Sequence, residues 1–303
     1  MVHSYRQPLP HGITLSCRST GQAGRPVLLF VHGFPEAAFV WDGLMAHFSR
    51  PENGGWRCVA PNLRGFEASS SPSEVAAYRA KHLVQDLAAL IEIESPGAPL
   101  GALIAHDWGG AVAWNLANQQ PALMQRLVIL NSPHPGTFLR ELQHSRAQQD
   151  ASAYMNFLVR PDAEALLAEN DFARLWGFFK HFGGSAQPDW LTPEVQDQYR
   201  AVWRQGLQGG CHYYRASPLR PADEHQAGAA AIELPDAMLQ IAAPTLVLWG
   251  LGDHALLPGL LDGLDRWVPT LTVQRHPSAS HWIVHEDPSW VAGQIQAFLS
   301  PDQ

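Results

Sequence analysis

Gly101-Ala102-Leu103-Ile104-Ala105-His106-Asp107-Trp108-Gly109-Gly110 and the Ala111-Val112-Ala113-Trp114-Asn115-Leu116-Ala117 that follows decide how this chain is read. The apolar run Gly101 to Ile104 reads as a buried strand, and Ala111 to Ala117 as a helix. Ala105 and Gly109 are small enough for the chain to turn sharply between them. Small-x-nucleophile-x-small is the pattern of a nucleophile elbow, with Asp107 where serine is usual. A carboxylate attacking saturated carbon yields an alkyl-enzyme ester. That chemistry opens an epoxide or displaces a halide rather than hydrolysing an ordinary ester. An aspartate here can also simply cap the next helix, so the pentapeptide needs support from elsewhere.

Upstream, Ile13–Cys17, Pro26–Val31 and Trp56–Ala60 read as strands, and Phe39–Phe48 and Tyr78–Glu94 as helices. The second helix carries Leu83, Val84, Leu87, Leu90 and Ile91 on one face. Downstream, Arg126–Leu130 is another strand. Strand–helix alternation of this kind builds a mostly parallel sheet with helices on both faces. From about His134 to Leu239 strand-like runs vanish. Helical stretches fall at Ala151–Phe157, Ala163–Phe182 and Pro193–Leu207. Alternation then resumes with a strand at Thr245–Gly250, a helix at Leu256–Val268, a strand at Leu271–Gln274 and a helix at Pro288–Leu299. The expected organisation is a core in two pieces, 1–134 and 240–303, with a helical lid at 135–239. The lid would cover the carboxyl ends of the strands, where such sheets bind ligands.

Partners for Asp107 should lie after later strands. Asp253 follows the strand ending at Gly250, and His281 follows the strand near Val273. His281 can act as a base, with Asp253 fixing its tautomer and stabilising its charged form. Nucleophile, acid, histidine is the chain order of an α/β-hydrolase. His254 and His285 are nearby competitors; His281 comes sooner after its strand. His32-Gly33-Phe34-Pro35 follows the Phe30-Val31 strand end. The amides of Phe34 and Trp108 are the expected oxyanion donors.

These stretches carry a family resemblance that covers essentially the whole chain. With Leu63-Arg64-Gly65-Phe66 and Asn131-Ser132-Pro133-His134-Pro135, they resemble the epoxide hydrolase branch of the α/β-hydrolase fold, which also contains haloalkane and haloacetate dehalogenases. The resemblance implies a mostly parallel central sheet flanked by helices, an inserted helical lid, and two lid tyrosines that bind the epoxide oxygen. Tyr154 and Tyr214 match those places, and Tyr213 would replace Tyr214 if its helix were rotated. An alkoxide leaving opposite the attacking carboxylate needs such donors. Phe34, Trp108, Trp176, Tyr213 and Trp282 are the expected substrate-binding side chains. No metal or organic cofactor is implied.

Halide chemistry makes other demands. The resemblance to haloalkane dehalogenases lies in Asp107-Trp108, but Phe34 carries no side-chain donor, leaving Trp176 as the second candidate. Haloacid enzymes of the fluoroacetate type place arginines where this chain has Trp108 and Ala111, so a carboxylate substrate lacks its anchor. Arg215 is the nearest substitute. A dehalogenase with the same Asp-His-Asp engine, and a non-catalytic ligand-binding protein on this scaffold, are the alternatives. Asn62 replaces the family's usual Asp, Glu67 stands where Gly is common, and Ala105 replaces a Gly. Glu67 is expected to be a solvated loop charge.

Composition bounds the rest. The chain has 303 residues, 46% of them hydrophobic, ample for a large core. Net charge is −8 with no basic block, so nothing favours nucleic acid or an anionic membrane surface and neither is expected as a partner. Cys17, Cys58 and Cys211 are scattered thiols without metal spacing. The N-terminus has no apolar signal core, so a cytoplasmic protein acting on a small apolar molecule is expected. Its oligomeric state stays open.

Overall fold

The computed structural model describes residues 1–183, 188–224 and 226–300. Eight strands form one sheet: β1 (His3–Pro8), β2 (Thr14–Thr20), β3 (Val27–Val31), β4 (Arg57–Pro61), β5 (Ala102–His106), β6 (Leu127–Leu130), β7 (Thr245–Gly250) and β8 (Leu271–His276). Their order is β1-β2-β4-β3-β5-β6-β7-β8. β2 runs antiparallel to β1 and to β4, and the other pairs are parallel.

β3, β5, β6 and β7 are buried at every position because both faces are covered. In β3, Val27, Leu29 and Val31 join one core layer while Leu28 and Phe30 join the other, the period of two expected of a strand. The first layer receives helices α2 (Ala80–Glu94) and α3 (Asp107–Gln119). The second receives α1 (Asp42–Phe48), the short α10 (Ile283–Glu286) and α11 (Pro288–Leu299). α11 starts where Asp287 accepts from the Trp290 amide at 2.9 Å and Pro288 occupies the first turn.

Between β6 and β7 the described residues form helices and turns only. These are α4 (Pro135–His144), α5 (Arg146–Ala151), α6 (Tyr154–Leu158), α7 (Ala163–Phe182), α8 (Pro193–Trp203) and α9 (Gln208–Ala216). Two expectations need correction, and one strand was not anticipated. Leu256–Val268 is not a helix but two short 3-10 turns, because Gly263 sits at φ 68° between them. α7 is broken, with Glu169 extended and Asn170, Asp171 and Phe172 left-handed. β1 is an edge strand that the sequence does not announce, since half-exposed residues in it alternate without an apolar face.

A parallel sheet delivers the carboxyl ends of β3, β5, β6, β7 and β8 to one edge. The segments that leave there carry Phe34, Asp107, Asn131, Asp253 and His281 respectively.

Candidate active site

Asp107 opens α3 in the left-handed region, at φ 50°. A non-glycine residue held there is strained, and the surroundings fix it. A Cβ on Gly109 would overlap the carbonyls of Val31 and His32, and one on Gly33 would overlap the Asp107 carboxylate itself. The turn therefore seats Asp107 directly against the His32–Glu36 loop. The Phe34 amide donates to Asp107 Oδ1 at 2.7 Å, and the Trp108 amide also bonds the carboxylate. Ser132 Oγ donates to the Asp107 carbonyl at 2.6 Å.

The second oxygen, Oδ2, lies 3.5 Å from His281 Nε2. His281 Nδ1 is 2.7 Å from Asp253 Oδ2. An ionised carboxylate only accepts, so Nδ1 carries the proton and Nε2 faces Asp107. Asp253 is fully buried. Its Oδ1 accepts from the amides of Ala255 and Leu256, each at 2.8 Å, and its Oδ2 from Asn131 Nδ2 at 2.7 Å. Burial opposes charge on His281, but Asp253 and Asp107 outweigh it and push its pKa up to about 10. Burial likewise opposes charge on Asp107, and His281 more than offsets it, lowering that carboxyl's pKa.

Asp107 forms the floor of a cavity of about 280 Å³ between α3 and the 135–239 segment. Tyr154 of α6 and Tyr214 of α9 line it with Trp108. The two rings meet nearly edge to face, 6.1 Å apart, and their hydroxyls interact. Burial raises the pKa of both phenols, so they hold their protons.

Other aromatic expectations need correcting. Tyr213 lines the cavity with its ring, but its hydroxyl donates to the Arg64 carbonyl at 3.0 Å. Phe34 gives its amide to the site, while its ring packs on Phe178 and Tyr214 outside the cavity lining. Trp176 does not reach the cavity. Its indole donates to the Asp171 carbonyl at 2.8 Å, in the break of α7, and its ring packs on Trp203. Trp282 is buried behind His281, with its indole on the Phe179 carbonyl at 3.1 Å. Arg215 is paired with Glu164 and the Arg160 carbonyl. Glu67 is not a solvated charge: it accepts from Asn62 Nδ2 at 3.1 Å and from the Ala68 amide at 2.8 Å. Two of the three departures from the family pattern, Asn62 and Glu67, are thus bonded to each other.

A buried polar cluster lies beside Asp107 and His281, with no role assigned to it from sequence. Glu36 is wholly buried, and its Oε1 accepts from Tyr199 of α8 at 2.7 Å and from His285 Nε2 at 2.6 Å. Its Oε2 is 3.2 Å from His106 Nδ1, and His106 Nε2 donates to the His281 carbonyl at 2.9 Å. Burial disfavours the Glu36 charge, but His285 and His106 hold its carboxyl well below the usual range. Trp203 of α8 donates to the neighbouring Pro35 carbonyl at 2.7 Å. Tyr199→Phe removes one donor from a buried carboxylate. We expect a loss of about 1.5–3 kcal/mol, read as a lower urea midpoint. An unchanged midpoint would show that the hydroxyl contributes nothing to holding α8.

Strand order, elbow and lining define a hydrolase architecture, and comparison with known proteins gives it a family. The chain belongs to the alpha/beta hydrolase fold family, whose sequence model matches residues 26–288. The AB hydrolase superfamily protein YfhM of Bacillus subtilis is 32% identical over 95% of both chains. Within the family the chain falls in the epoxide hydrolase branch. Epoxide hydrolase 2 of Caenorhabditis elegans is 31% identical over 93% of this chain and 76% of that protein. The crystal structure of Bacillus megaterium epoxide hydrolase in complex with an inhibitor superposes with a TM-score of 0.84, at 29% identity, covering 97% of this chain and 99% of that one. Among the described residues no helix is long and apolar enough to cross a membrane.

Proposed function

We propose that this enzyme hydrolyses epoxides to vicinal diols through an ester on Asp107. The observation that carries the reading is the pair of protonated phenols, Tyr154 and Tyr214, lining the same cavity as a carboxylate whose Oδ1 accepts from the Phe34 amide. Oδ2 attacks a ring carbon and the carbon–oxygen bond breaks. The ring oxygen takes a proton from a tyrosine, leaving a hydroxyalkyl ester. Water then attacks the ester carbonyl, giving up a proton to His281. The Phe34 and Trp108 amides stabilise the tetrahedral oxyanion. Collapse releases the diol and restores the Asp107 carboxylate. Over the cycle the proton that charged His281 sheds once the ester forms restores the phenol, and the proton it takes from water restores its own charge.

Electrostatics supports the order of events. In the free enzyme two carboxylates keep His281 charged. Esterification neutralises Asp107 and removes one of them, so the His281 pKa falls below its resting value and the ring becomes a base when one is needed. We read residues 135–239 as the cap that brings the tyrosines over the core formed by 1–134 and 240–303; residues 301–303 lie outside the described part. The partner is a small neutral molecule. The halide reading loses its second donor, because the Trp176 indole is bonded inside its own helix.

A panel of epoxides and haloalkanes tests the proposal by scoring diol against released halide. Diol from epoxides, with no halide release, is expected. Halide release without diol would replace this reading with the dehalogenase one.

A further inference from the structure

The cavity runs along one face of α3. Asp107, Trp108, Ala111, Val112 and Asn115 all line it, at the three- and four-residue spacings of a single helical face. The exposed Pro218 and Met238 are among its lining residues. Asp107 is the only ionised side chain among the described lining residues, so a substrate tail bearing charge finds no counter-ion there. Beyond the reacting groups, Asn115 is the amide that faces an otherwise largely apolar wall.

Asn115 is half-buried, and its two ends differ. Nδ2 donates to the Ala111 carbonyl at 2.8 Å, one turn back. A carbonyl can only accept, which settles the orientation of the amide and leaves Oδ1 as the end available to a ligand. Among the described residues no protein group donates to Oδ1, and the atom is not sealed in the interior. Asn115 lies eight residues after Asp107, about 12 Å along the helix, and helical side chains lean back toward the N-terminus. A donor on the substrate would therefore meet Oδ1 roughly six to eight bonds beyond the attacked carbon.

We propose that Asn115 is a specificity determinant that selects neutral epoxides whose apolar tail carries a hydroxyl or N–H group at that distance. The proposal rests on the reading of Asp107 as nucleophile for the location of the ring, but the recognition itself uses only Asn115 and the tail. An apolar tail fills the wall from Ala111 to Val112, and its donor pairs with the acceptor that would otherwise lose water when the cavity fills.

The test uses two glycidyl ethers of equal length, one ending in a hydroxyl and one in a methoxy group. Wild-type enzyme should show a kcat/KM ratio of about five to ten in favour of the hydroxyl. Asn115→Leu and Asn115→Ala should each bring the ratio to about one, whatever their absolute rates. The two matching diols, which carry the same tails and no ring, are also titrated calorimetrically into all three proteins, and the same ratio pattern is expected in Kd. If neither ether is turned over, the epoxide reading fails while the diol titrations still decide the role of Asn115. A ratio near one in wild type, or a preference that persists in both variants, overturns the proposal.

Discussion

His281→Gln enzyme, mixed briefly with a substrate epoxide, should gain the whole mass of the substrate on Asp107 and keep it. Ring opening expels nothing, so the adduct weighs as much as the epoxide. Displacement of a halide would add the substrate mass less hydrogen halide, and intact-protein mass spectrometry tells the two apart. Asp107→Ala should fold, gain no mass, and lose turnover by about ten-thousandfold or more. A glutamine side chain in place of His281 cannot take a proton from water, so the ester persists. In the wild type, decay of the ester should accelerate as pH rises and level off above the His281 pKa of the ester form. That value lies below the resting value of about 10 because Asp107 no longer carries charge. Ring opening should show no such rise in the neutral range, since the Asp107 pKa is lowered. A His281→Gln enzyme that turns over normally, or that traps nothing from a proven substrate, defeats the two-step scheme.

Tyr154→Phe and Tyr214→Phe should each slow ring opening, and the double variant should nearly stop it. Each hydroxyl supports the same departing oxygen, so one can partly cover for the other. Loss of both should cost about a hundredfold or more in the alkylation rate. Hydrolysis of an ester already formed should change little, because that step relies on His281 and the Phe34 and Trp108 amides. Rapid-mixing measurements of alkylation and of ester decay separate the two steps. Near-native epoxide opening by the double variant would mean that the phenols are packing residues and that the proton comes from elsewhere.

Much of this arrangement was legible in the sequence because it is local. The elbow at Asp107, the helix at Pro288–Leu299 and the order Asp107, Asp253, His281 each depend on a few adjacent residues and on strand ends. Tyr154 and Tyr214 were legible only through the family pattern. The errors share another cause. Trp176 was expected at the substrate as a lid indole donor and Trp282 as the neighbour of His281, but segments packed on more than one side bury several of their faces. Periodicity does not say which face meets a cavity and which meets another helix. Their indole N–H groups settled on main-chain carbonyls at Asp171 and Phe179, partners that no spacing rule supplies. Glu36, His106, Tyr199 and His285 come from four separate parts of the chain, so their convergence belongs to the tertiary fold. Asn131 stood in a recognised stretch without a role until its amide was found on Asp253. Leu256–Val268 carried helical periodicity, yet the Pro258, Gly259 and Gly263 within it outweighed the pattern.

The His32–Glu36 loop does two jobs within five residues. Phe34 gives its amide to Asp107, while Pro35 and Glu36 hold Trp203 and Tyr199 of α8. The roof of this enzyme is consequently not an interchangeable cassette. A chimera that kept the sheet but took residues 135–239 from a relative lacking a phenol at 199 and an indole at 203 would strip donors from a buried anion and from the carbonyl next to it. The damage would be felt at the loop that bonds Asp107, even if Tyr154 and Tyr214 were preserved. Recombination in this lineage is expected to succeed only when the loop and α8 travel together.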